Sequence, residues 1–148
     1  MRVLATSDLD GDGTRDFDGY RGVRVGVVRT SMNGGGVGCA GDVDTGMLVN
    51  TSDRAGCPTA FPGRVFTFHP GDPPSADELA SDVACIAAVG THGCGIEQPL
   101  EAMRVALDMP DFHRDDAVLG VIIVTDEDDC SHAGPRIRAM DATRRPSL

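Results

Sequence analysis

The sequence predicts an α/β fold, an open and mostly parallel sheet flanked by helices. Three observations carry that expectation. Val23 to Thr30 is β-branched and largely apolar, as strands are. Two stretches between Ser75 and Met109 place apolar residues at helical spacing. Ala117 to Thr125 is an apolar run with no alternation, the habit of a strand buried on both faces beneath helices.

Each element has its own local signal. Residues 1–20 are a short lead and an Asp/Gly loop, Asp8 to Asp16. After the strand at Val23, residues 31–63 are rich in Gly, Asn, Asp and Pro and form a long irregular excursion holding Cys39 and Cys57. Short strands are expected at Gly46–Asn50 and Arg64–Phe68. Ser75 and Glu78, following Pro73-Pro74, make a capping box, and Leu79, Val83 and Ile86 then share one helix face. A second helix is expected from Ile96 to Met109, with Leu100, Met103 and Leu107 inward, Pro99 in its first turn and Pro110 ending it. Beyond residue 132 the tail, 133–148, has no clear period.

The chain of 148 residues is enough for one ordinary domain, and 41% hydrophobic content is near the globular norm. A net charge of −10 argues against nucleic acid as a partner, because binding phosphates needs a basic face. No apolar run is long enough to span a membrane, and Met1 to Ser7 is too short for a signal peptide. All thirteen basic residues are arginine, which excludes a lysine-bearing phosphate loop and any lysine base or Schiff base. The five cysteines form no C-x-x-C pair. Disulfides in an oxidising compartment are therefore expected, with one thiol left over.

Two acidic constellations stand out. Asp8 to Asp16 fits D-x-D-x-D-G-x-x-D, which turns alternate carboxylates of a bent loop toward one centre. Asp8, Asp10, Asp12 and Asp16 would offer side chains to Ca²⁺, and Thr14 its carbonyl. The twelfth position is Gly19 rather than a bidentate acid, with Asp18 one residue early, so affinity should be weak. A solvated acidic turn is the plain alternative. A D-x-D-G phosphatase start, with Asp8 as nucleophile, fits poorly because lysine is absent and Asp12 intrudes. The second constellation is Thr125 to Ser131, where Asp126, Glu127, Asp128 and Asp129 follow the apolar run. Four successive acids there repel one another unless hydrated or held by a cation.

Three segments together resemble a family. They are Val25 to Thr30, the run Gly90-Thr91-His92-Gly93-Cys94-Gly95-Ile96-Glu97-Gln98-Pro99-Leu100-Glu101-Ala102, and Val121 to Ser131. They look like von Willebrand factor type A-like domains of secreted or surface-attached bacterial proteins. The resemblance implies a doubly wound, Rossmann-like sheet over residues 21–132 and an adhesion site for Mg²⁺ or Mn²⁺. By position Thr91 is its threonine and Asp126 its aspartate. Asp128 and Asp129 would support Asp126 rather than touch the ion. The family's D-x-S-x-S loop occurs nowhere in the chain, so the resemblance implies a partial domain lacking its first strand and helix.

The function expected from this is a non-enzymatic, cation-dependent protein-binding module. Its metal would bridge to an acidic residue of a partner protein, in an extracellular, periplasmic or cell-surface setting. A structural calcium-binding segment, similar to dockerin loops, is the alternative, and a metal-dependent hydrolase a third. Cys39 with Cys57 would close the excursion. Cys94 with Cys130 would join two loops at one sheet edge, leaving Cys85 free.

Overall fold

Phe66 and Phe68 lie two apart on a strand, point to the same side, and are both buried. The core collects around them. The computed structural model describes residues 2–18, 21–32, 45–52, 55–57, 63–90, 93 and 97–131. In chain order its elements are α1 (Arg2–Thr6), β1 (Val23–Val25), β2 (Phe66–Phe68), α2 (Ala76–Ala87) and α3 (Pro99–Leu107).

The protein is a small α/β fold with a two-stranded sheet. β1 and β2 pair antiparallel, with Val23 opposite Phe68 and Val25 opposite Phe66. Val25, Phe66 and Phe68 then meet Leu79, Val83 and Ile86 of α2 and Ala5 of α1 in one cluster. α2 forms as its sequence dictates. Ser75 Oγ accepts the amide of Glu78, the Glu78 carboxylate accepts the amide of Ser75, and the Leu79, Val83, Ile86 face turns inward. Leu48 is buried beside Gly26, where an added Cβ would sit 2.6 Å from the leucine and 3.0 Å from the Phe112 ring.

The one mostly parallel sheet expected to hold both 23–30 and 117–125 is not found among the described residues. The first strand is short and pairs with 66–68, and residues 117–125 form no strand. Residues 118–125 are exposed rather than buried. The cause is that an apolar run reports a preference for burial, while burial itself needs a neighbour to supply the other face. The Gly46–Asn50 strand reduces to a single bridge, Val27 to Val49. In α3 the buried residues are Pro99, Ala102 and Ala106, whereas Leu100 is exposed and Met103 and Leu107 are half-buried, so its inner face is turned from the expected one. α1 was not foreseen; five residues are too few to show a period.

The cysteine pairing also differs. Cys57 is joined to Cys85 of α2, with Cα atoms 5.7 Å apart, so neither the Cys39–Cys57 pair nor a free Cys85 holds. Cys130 is a free, exposed thiol, which removes the Cys94–Cys130 pair. Cys39, Cys94 and the tail 133–148 lie outside the described residues.

Candidate metal centre

The Asp8 loop begins where α1 ends. Ser7 takes a left-handed conformation, φ 62°, and its amide donates to Val3 O at 2.8 Å. The buried Ser7 also accepts the amide of Asp16 on its carbonyl at 2.9 Å, which ties the two ends of the loop together. Between them the loop folds on its own carboxylates. Asp8 accepts the amides of Gly11 at 2.6 Å and Gly13 at 3.0 Å, one on each oxygen. Asp16 accepts the amide of Leu9 at 2.6 Å, and Asp10 that of Asp12 at 3.2 Å. Gly11 and Gly13 make this turn possible, with φ of 81° and 86°.

The result is a group of three carboxylates. Asp8, Asp10 and Asp16 each place an oxygen within 4.8 Å of the others. Among the described residues no other group of this kind forms. Asp12 does not join it; its carboxylate accepts the amide of Thr14 at 2.6 Å instead. Three hard oxygen donors on a loop suit Ca²⁺ or Mg²⁺ far better than a thiolate-seeking metal. Ser7, which clamps the loop, carries no sequence signal of that role, because a left-handed serine looks like any other serine.

The second acidic segment works differently. Gln98 stands at the N-cap of α3 and makes no side-chain cap bond. Asp129 accepts the amide of Leu100 at 3.2 Å, and Ser131 Oγ accepts the amide of Glu101 at 2.8 Å. Ser131 also donates to Asp129 at 2.6 Å, and Cys130 N donates to Glu97 O at 2.8 Å. The start of α3 is thus capped from the distant acidic segment. The Ser131 hydroxyl holds the Asp129 carboxyl below its ordinary value, opposed by burial and helped to a lesser degree by the Leu100 amide. Thr125 Oγ1 donates to Glu97 at 3.1 Å. Asp126 and Asp128 are exposed and belong to no carboxylate group among the described residues. Thr91 lies outside the described residues.

No helix among the described residues is long and apolar enough to cross a membrane. No protein-family model, curated protein or solved structure matches the chain.

Proposed function

We propose that this protein is a non-enzymatic, calcium-binding module of the extracellular type, with the ion held by Asp8, Asp10 and Asp16. The observation that carries the reading is the convergence of those three carboxylates within 4.8 Å of one another. Three like charges at that spacing repel, and a divalent cation removes the repulsion while the loop's amides already fix the oxygens. The Cys57–Cys85 disulfide supports an oxidising, calcium-rich setting such as the cell exterior. Following the resemblance further would add a doubly wound sheet, and a Mg²⁺ or Mn²⁺ contact at Asp126 to an acidic residue of a partner protein. The Asp8 loop is the part with geometric support.

Calorimetric titration of the full chain tests this. Calcium should bind with a Kd of about 10⁻⁴ to 10⁻³ M, the range of extracellular modules. Asp16→Asn should abolish the heat. Silence at millimolar calcium would overturn the reading.

A further inference from the structure

We infer that residues 118–124, an exposed apolar segment, pair with an added strand from a partner protein, an apolar alternating segment with arginine or lysine at both ends. The inference is independent of calcium. It starts from exposure. Val118, Ile122 and Val124 are 97%, 80% and 88% exposed, while Leu119, Val121 and Ile123 lie at 44–47%. That two-residue rhythm is the spacing of extended backbone, with one set of side chains more exposed than the other. Gly120 falls on the outer face, and a Cβ built there meets nothing within 4 Å. No backbone–backbone hydrogen bond among the described residues involves 118–124. Unpaired amides and carbonyls beside apolar side chains are what strand addition uses: the ladder gives affinity and the alternate side chains give selectivity.

Charge decides the occupant. Asp115 and Asp116 precede the segment, and Asp126, Glu127 and Asp128 follow it. A second copy paired antiparallel about Val121 would set Asp116 against Asp126 and Asp115 against Glu127. A parallel copy in register would set each acid beside itself. Like charges directly opposite are destabilising in either arrangement. A strand with basic ends meets acids at both flanks whichever way it runs.

The test is fluorescence anisotropy with the full chain, in excess EDTA so that metal binding plays no part. The probes are two labelled synthetic peptides of alternating valine and threonine, one with paired arginines at each end and one with paired glutamates. The arginine peptide should bind about ten-fold or more tightly than the glutamate peptide. Ile122→Arg, a change at an exposed position, should weaken it by about ten-fold. Asp116→Arg combined with Asp128→Arg, which leaves three acids against two arginines at the flanks, should erase most of the preference while leaving the fold intact. Equal binding of both peptides, binding of neither, or a preference unmoved by the charge reversal would overturn the inference. So would self-association in sedimentation that Ile122→Arg abolishes, since the occupant would then be a second copy.

Discussion

Ser131 donates its hydroxyl to Asp129 at 2.6 Å, and the two side chains together close the N-terminus of a helix that begins about thirty residues earlier in the chain. The acidic segment therefore has a structural duty at its far end, where Asp129 is engaged, and an exposed stretch at Asp126 to Asp128.

Ser131→Ala removes the acceptor of the Glu101 amide and the donor to Asp129. The loss should be about 1 kcal/mol, as for other N-cap deletions. Faster hydrogen exchange at Leu100 and Glu101, with α2 unchanged, is the expected readout. Asp128→Ala should leave both amides protected, because Asp128 makes no such bond.

Glu78 provides a pH-dependent contribution at the other helix start. The Ser75 amide, then the Ser75 hydroxyl, holds its carboxyl below the ordinary value of 4.5. The folded protein thus binds this proton less tightly than the unfolded chain does. The contribution is full above pH 4.5 and is lost as pH falls through the lower folded value. Glu78→Gln should flatten that part of the stability profile in acid titration of urea unfolding. Ser75→Ala should cost about 1 kcal/mol at neutral pH.

Gly46 has φ of 72°, and a Cβ there would stand 2.8 Å from Val105 Cβ. Gly46→Ala should destabilise by about 1–3 kcal/mol, through strain and overpacking together. Thermal unfolding of the variant checks this, and a neutral result would mean that Gly46 does not lie against Val105 of α3.

Replacing Cys57 and Cys85 by alanine opens a link across a sequence separation of 28. By the chain-entropy relation the unfolded chain regains freedom worth about 3–4 kcal/mol. Non-reducing peptide mapping of the wild type should recover the 57–85 pair and find Cys130 alkylated.

Calcium affinity should discriminate within the Asp8 loop. Asp12→Ala should leave binding nearly unchanged, since Asp12 faces the Thr14 amide, while Asp8→Asn and Asp10→Asn should weaken it strongly. Equal losses at all positions would mean that the calcium-bound loop recruits Asp12.

Local signals were read correctly where structure is local. The Ser75–Glu78 capping box and the Leu79, Val83, Ile86 face are written in adjacent residues, and α2 follows them. The Asp8 loop was equally plain, since spacing alone brings its carboxylates round, although it could not show that Asp12 turns away. Non-local choices were not legible. Val23–Val25 is strand-like whichever neighbour it takes, and only the fold pairs it with Phe66–Phe68. Cysteine spacing carries no record of which thiols meet, so Cys57–Cys85 had no signal. The apolar run 118–124 was misplaced because hydrophobicity states what a segment wants covered, not whether anything covers it.

The remote cap on α3 also sets an order of events during synthesis. α2 carries its own Ser75 cap, so its first turn has its partners as soon as it leaves the ribosome. α3 emerges with an uncapped start and waits for the chain to be delivered as far as Ser131. Until then the apolar segment 118–124, which stays exposed in the finished fold, lies beside a half-finished helix. A cut between Ala117 and Asp129 would likewise leave the α3 sequence intact but its first turn unclosed.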